Sequence, residues 1–421
     1  MGCGASVQDG PASGAVGKST GIVSEGTNRS GVKRTVTLRR LTMKHTPKID
    51  NEPAQRLHML ILELGPTGKM ELTSVTAHAA SGQESGTLVK NHIPCLKQIP
   101  GMILNMTQLT ELNLRCNQIY VIPKEIEALR SLEVLVVAEN QLFELPKELT
   151  RLSNLKLLDL SENHISALPD SMGELQNLEI LRMNRNKLTA LPDGLGGCQR
   201  LKIINFYNNQ IESLGSGIAE LTEIEELNLS NNAIFDFPTN IDKWRNMKQL
   251  YIQVNRLSKL PSLDALQSLE LLQAHQNALK CFPEMGKLAH LKKIDVNNNQ
   301  IREITPSFEN LTALVHLNIR RNCLTSIPAF LCRCKSLEIL DLGFNPLVPP
   351  VPADLVALPH LKTFLLDGTK ITTLPIELIA LRQVSRVNVG NCLRMDDQET
   401  CEVVTELREI CAQNGGWLKT G

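Results

Sequence analysis

One spelling recurs along residues 109–392 and leaves the chain little choice of fold. Leu155-Lys-Leu-Leu158-Asp-Leu160-Ser-Glu-Asn163-His-Ile165 runs on to Leu168-Pro169, and the pattern L-x-x-L-x-L-x-x-N-x-L, with L-P close behind, returns thirteen times. Its asparagine position falls at 117, 140, 163, 186, 209, 232, 255, 277, 299, 322 and 345, then as Thr369 and Cys392, in steps of 22 to 24 residues. A period of this length marks one supersecondary unit per repeat, unable to bury its apolar face alone and stable only when stacked.

The spelling dictates the unit. Leu158 and Leu160 lie two apart, so both point to one side of a short strand, while Asp159 and Ser161 point to the other. Stacked strands make a parallel sheet with an aliphatic core beneath it and a solvent-facing concave surface above. The asparagine turns the chain off the strand, and its amide can bond neighbouring backbone in a ladder along the stack. Thr369 can supply part of that bonding and Cys392 only weakly. The return leg, as in Leu145-Pro146-Lys-Glu-Leu149-Thr-Arg-Leu152, reads as helix-like with proline in its first turn. Aromatic residues make up 3% of the chain, so the core is expected to be Leu and Ile.

A chain of 421 residues would strain one compact core, but a solenoid adds core one repeat at a time. Lys and Arg total 44, as do Asp and Glu, so no overall charge favours nucleic acid. No apolar run is long enough for a membrane helix, and no apolar stretch of a secretory signal opens the chain. The eleven cysteines form no clustered pairs flanking the repeats, which reads as a reducing, intracellular compartment. Cys116, Cys281, Cys323 and Cys392 fall at solenoid positions and are expected to act as small hydrophobes. Cys332-Arg-Cys334 has no matching pair at zinc spacing, and no metal or cofactor is expected. Ala12-Ser-Gly-Ala-Val-Gly17-Lys18-Ser19 spells a relaxed phosphate-binding loop, yet lacks the strand before and helix after that such a loop needs.

The ends differ from the middle. Residues 1–50 are aperiodic, rich in Gly, Ser and Thr, and expected to be disordered. They open Met1-Gly2-Cys3-Gly4-Ala5-Ser6, which fits the acylation pattern, with Gly2 for myristate and Cys3 for palmitate. One acyl chain binds membrane only marginally, so the second chain matters, as does the acid-free run holding Lys33, Arg34, Arg39, Arg40, Lys44 and Lys48. These features place the protein on the cytoplasmic face of a plasma, ciliary or flagellar membrane, with a further pool in the cytoplasm. Residues 51–108 form an N-terminal flank. There Leu57–Leu64 reads as a strand or a short helix, and Glu71–Val75 can pair back on it as a hairpin. Residues 86–108, with Leu88-Val89 and Ile99-Pro100, read as a degenerate first repeat that blunts the sheet edge. Residues 393–421 read as a capping helix and tail. Asp396 or Asp397 caps the helix, Val403, Val404, Leu407, Ile410 and Cys411 form its apolar face, and Gly415 stops it.

The register also names the concave side chains. Arg182, Arg185 and Tyr207 come from adjacent units with Tyr251 two units on, and His316, Arg320 and Arg321 make a basic spot beside Asp295 and Asp341. Arg and Tyr are enriched at interface hot spots, which makes these the candidate partner-binding residues. No Ser/His/Asp or Cys/His set is spaced for catalysis, and an open sheet offers no water-poor pocket, so the chain is read as non-enzymatic.

The 23-residue units with Leu-Pro, as in Leu155–Pro169 and Leu178–Pro192, resemble the intracellular Ras-group leucine-rich repeat family over residues 86–392. The resemblance implies an α/β leucine-rich repeat solenoid, a curved horseshoe with a parallel concave sheet. It further implies a non-catalytic, Ras–Raf scaffold-like protein whose concave face holds a small GTPase or a phosphatase. The family's phosphatase-docking motif, basic-x-Val-x-Phe, is nearest here to Arg34-Thr35-Val36-Thr37-Leu38, with Leu in place of the aromatic, and acylation is not part of the family pattern. The reading is a membrane-tethered adaptor for a small GTPase, kinase or phosphatase complex, with no nucleic acid and no small-molecule substrate. The alternative is a structural component of a cortical or flagellar cytoskeleton.

Overall fold

A computed structural model describes residues 69–71, 95–390, 392–394 and 396–420. Gly2, Cys3, the basic run and Leu57–Leu64 lie outside the described residues. Among the described residues, fifteen three-residue strands form one sheet in chain order. They are β1 Lys69–Glu71, β2 Glu111–Asn113, β3 Val134–Val136, β4 Leu157–Asp159, β5 Ile180–Arg182, β6 Ile203–Asn205, β7 Glu226–Asn228, β8 Gln249–Tyr251, β9 Leu271–Gln273, β10 Lys293–Asp295, β11 His316–Asn318, β12 Ile339–Asp341, β13 Thr363–Leu365, β14 Arg386–Asn388 and β15 Trp417–Lys419. All pair in parallel with their first residues opposite one another, as in Val134–Leu157–Ile180–Ile203. From β2 to β14 the middle residue of each strand and the one two places on, such as Leu158 and Leu160, are buried beneath the sheet.

What locks one unit to the next is the asparagine ladder. Asn140 donates its amide to Leu114 O of the preceding unit at 3.0 Å, and its Oδ1 accepts the N–H of Ile119 in that unit at 2.9 Å. It also donates to Val137 O and Ala138 O of its own unit. The geometry repeats at Asn163, Asn209 and Asn322. At the end of the column Thr369 donates to Cys392 Sγ, and the Cys392 thiol points at Leu366 O and Gly390 O, both at 3.2 Å. The thiol thus stands where an asparagine amide would, with one proton to share between the two carbonyls.

The ladder exacts a backbone conformation that the sequence does not advertise. The residue before each asparagine sits in the left-handed region, with φ between 52° and 57°, from Cys116 and Glu139 to Arg321 and Phe344. For an L-residue this costs about 1 kcal/mol, most for a β-branched or bulky side chain. Asn208, Asn231 and Asn298 suit the position; Val254 and Phe344 do not.

The return legs are mostly five-residue 3₁₀ turns. Seven begin after proline: Pro123, Pro146, Pro169, Pro192, Pro328, Pro352 and Pro375. Proline precedes the turn rather than sitting in it. Its extended φ, between −61° and −75°, fits the ring, and its carbonyl accepts the first turn bond, as from Ile126 N to Pro123 O at 3.1 Å. The legs after Pro238, Pro261 and Pro283 form no 3₁₀ turn. Aromatic side chains fill the space there. Phe237 meets Trp244 edge-on at 5.9 Å and Phe282 meets Phe308 at 4.6 Å, so the core is not Leu and Ile alone. The cysteines also sort differently from expectation. Cys281 and Cys323 are exposed at strand-exit turns, whereas Cys198 and Cys334 are buried in the last apolar position of a return leg, where Leu152 and Leu175 stand elsewhere. Burial pushes these two thiols up to about 12 and about 11.

The repeat core is capped at both ends among the described residues. Residues 95–108 form a return leg, with the N–H of Leu96 bonded to Asn117 Oδ1 at 3.0 Å and a short helix α1, Gly101–Leu104, burying Ile103 and Leu104. The strand beside β2 is β1, and residues 86–94 of the expected first repeat lie outside the described residues. Glu71 pairs in parallel with Asn113, and the expected hairpin partner Leu57–Leu64 lies outside the described residues. An open edge is satisfied by whichever extended segment reaches it, and the closure cost grows only slowly with connection length. At the far end α2, Gln398–Gln413, replaces a return leg. Asp397 caps it, accepting the Thr400 N–H at 2.9 Å, and Val403, Val404, Leu407, Ile410 and Cys411 face the core. Gly415, at φ +69°, ends the helix, and the chain then adds β15, a strand within what reads from sequence as a tail.

Two stability changes follow. Asn163→Ala strands the Leu142 N–H and the Val137 carbonyl in the interior and should lower unfolding free energy by about 3 kcal/mol in urea titrations. Val254→Asn should raise it by about 1 kcal/mol, because asparagine tolerates the left-handed position that valine resists.

Candidate protein-binding surface

A parallel sheet is ordinarily covered on both faces. Here the second face has no covering element among the described residues, yet its first row is aliphatic over four strands. Val134, Leu157, Ile180 and Ile203 stand in register and are half-buried, with Val136 beside them and Glu111 and Glu226 at the two ends of the row. Its signal in the sequence is an apolar residue recurring one place before the inner leucine. Just outside it, Glu and Lys alternate between units in ion pairs: Glu133–Lys156, Glu179–Lys202, Glu225–Lys248 and Glu270–Lys292, at 2.6 to 3.0 Å. Two buried atoms of neighbouring units on this face, Gln253 Oε1 and His275 Nδ1, have no hydrogen-bond partner.

The middle candidates stand on this face. Arg182 lies 3.8 Å from Asp159 and Arg185 3.1 Å from Glu162, each reaching back to the acid one unit before. Tyr207 is half-buried in the next unit, its backbone carbonyl accepting the Arg185 N–H at 2.8 Å. Tyr251 stands two strands further on and gives its hydroxyl to Gln249 Oε1 at 2.6 Å, its phenol pushed up by burial and by Glu226.

The C-terminal candidates form a knot rather than a simple basic spot. Arg320 grips Asp367 with both terminal nitrogens, at 3.0 and 2.6 Å, and reaches Asp341 at 3.3 Å. Its guanidinium also lies 4.6 Å from the centre of the Phe344 ring, and that of Arg321 5.4 Å. A Cβ on Gly343 would meet Arg320 Nη1 at 2.5 Å, so only glycine leaves room for the pair. His316 is half-buried, and burial with Lys293 nearby pushes its imidazole down, toward the neutral form. Phe344, which the sequence reading missed, is 46% exposed.

Residues 147–281 match the leucine-rich repeat region and residues 289–347 the leucine rich repeat. The fold is the leucine-rich repeat solenoid. The chain is 25% identical to a leucine-rich repeat protein of Leptospira interrogans, with a TM-score of 0.65 over 77% of this chain and 93% of that one. It is 29% identical to the plant peptide hormone receptor RGFR1, solved in complex with RGF2, with a TM-score of 0.65 over 70% of this chain and 50% of that one. Among curated relatives it is 31% identical over 152 residues to oligodendrocyte-myelin glycoprotein of Homo sapiens, covering 35% of this chain and 34% of that protein. It is 32% identical over 112 residues to disease resistance protein RPS5 of Arabidopsis thaliana, covering 26% and 12%. The chain therefore spans about a third or less of the curated relatives' length. Among the described residues no helix is long and apolar enough to cross a membrane, and no group of three His, Cys, Asp or Glu is placed to hold a metal.

Burial outweighs the Gly343 N–H and Arg320 contacts and holds the Asp341 carboxyl above the usual range. Its stabilising contribution is therefore present below the unfolded pKa of about 3.9 and lost as pH rises through the folded value. Asp341→Asn should leave neutral-pH stability unchanged or higher and steepen its fall in acid, read as unfolding free energy against pH. Asp367→Asn, which weakens the Arg320 clamp, should cost about 2 kcal/mol in urea titrations at neutral pH.

Proposed function

We propose that the protein is a non-catalytic, membrane-tethered adaptor whose open sheet face binds partner polypeptides of an intracellular signalling complex. The observation that carries this is the aliphatic row of Val134, Leu157, Ile180 and Ile203 on an uncovered sheet face. Water contact with such a row is unfavourable, and a partner's apolar side chains relieve it. The orphan atoms of Gln253 and His275 offer polar contacts to the same partner. The plant receptor solved with RGF2 shares this fold, and that complex supports polypeptide binding on it. Tethering rests on Gly2, Cys3 and the basic run that follows. The resemblance to the Ras-group family points to a small GTPase, kinase or phosphatase as partner.

Proximity labelling in the native cell with wild type, Gly2→Ala and Ile180→Glu tests the two halves separately. Gly2→Ala should shift the protein to the cytosol, and Ile180→Glu should leave it at the membrane but strip its signalling neighbours. Identical label sets for all three chains would refute the reading. Tubulin or axonemal neighbours that survive detergent extraction would make the protein a structural component instead.

A further inference from the structure

Phe344 is the wrong residue for folding at its position. The residue before a ladder asparagine must be left-handed, and at φ 52° a bulky aromatic is among the least tolerated choices. Its ring nonetheless stays 46% exposed, so burial does not recover that cost. Strain of this kind persists where the surroundings fix it, and it collects at functional positions.

The surroundings do fix it. Arg320, clamped by Asp367 and Asp341, lies over the ring. On another side, Gly368 at φ +68° lets the ring lie against bare backbone, where a Cβ would stand 2.8 Å from Cδ1. The ring is a rigid, partly bared apolar surface, and binding to it costs little side-chain entropy. The charge around it is sorted by exposure. Asp341 and Asp367 are covered, each side chain 13% exposed, while Arg321 is exposed, near the ring, and in no ion pair among the described residues. An approaching molecule meets an aromatic and a cation, not the acids beneath. Ile339 and Leu365, on β12 and β13, are half-buried.

We propose that Phe344 and Arg321 form a hot spot of the open face and take a partner polypeptide segment that sets a carboxylate beside an apolar side chain. This rests on the reading that the open face binds polypeptide, and it names the chemistry of one contact. Phe344 receives the apolar side chain, Arg321 pairs with the carboxylate, and Arg320 positions the ring.

The test uses a random peptide display library panned on the full chain, with recovered peptides synthesised and titrated by fluorescence anisotropy. Recovered peptides should carry Asp or Glu next to, or one residue from, Leu, Ile, Met or Phe. Phe344→Asn should weaken them about thirtyfold while keeping or raising the melting temperature, because asparagine suits the backbone there. Replacing the peptide's acid by its amide should weaken binding to wild type but not to Arg321→Gln. Peptides without an acid, no recovered peptides, or binding indifferent to both variants would overturn the hot spot. If such indifferent peptides are still lost with Ile180→Glu, the open-face reading survives; if they bind that variant too, both fall.

Discussion

Everything in this solenoid depends on a side-chain amide that serves two units at once. A three-residue strand makes too few bonds to hold its neighbour in register, and a 3₁₀ return leg leaves backbone groups unpaired at each strand exit. The asparagine accepts one buried N–H and donates to a buried carbonyl of the unit before it, while bonding the carbonyls of its own turn. Without it those groups would be interior and unsatisfied, and the cost would recur in every unit. The sheet register, the depth of the leucines and the left-handed residue before each asparagine all follow from that one arrangement.

The surface follows in turn. Because the ladder fixes register, side chains of like position fall into straight columns, and small changes of sequence from unit to unit become a pattern in space. Alternating Glu and Lys become a run of ion pairs, and four aliphatics in successive units become a continuous apolar row. The left-handed column is where the backbone is least forgiving, so a bulky residue there stands out against a well-defined background. Phe344 is conspicuous for that reason, and the ion-paired Arg320 and two glycines around it are what such a residue requires.

Much of this was legible in the chain. The repeat, the parallel sheet, the buried leucine pairs, the role of the asparagines and the apolar face of α2 all rest on local periodicity, which survives folding unchanged. The proline position was misread by one residue, since pattern alone does not separate the residue before a turn from the first within it. The cysteines were misread because a small residue fits either side of a turn, and only the path of the backbone says which. At the N-terminal edge the strand came from Lys69–Glu71, outside the repeat register, because edge pairing selects for reach and extension rather than for spelling.

The sequence by itself determined the period, the hydrophobic columns and the capping chemistry, because each depends on residues close together in the chain. The tertiary structure decided what required distant units to meet. It brought Arg320 onto Asp367, forty-seven residues away, and thereby covered the acids and left Arg321 and Phe344 to solvent. It also set β15 beside β14 and left the second face of the sheet uncovered, because pairing and exposure are properties of neighbours in space, which no single repeat specifies.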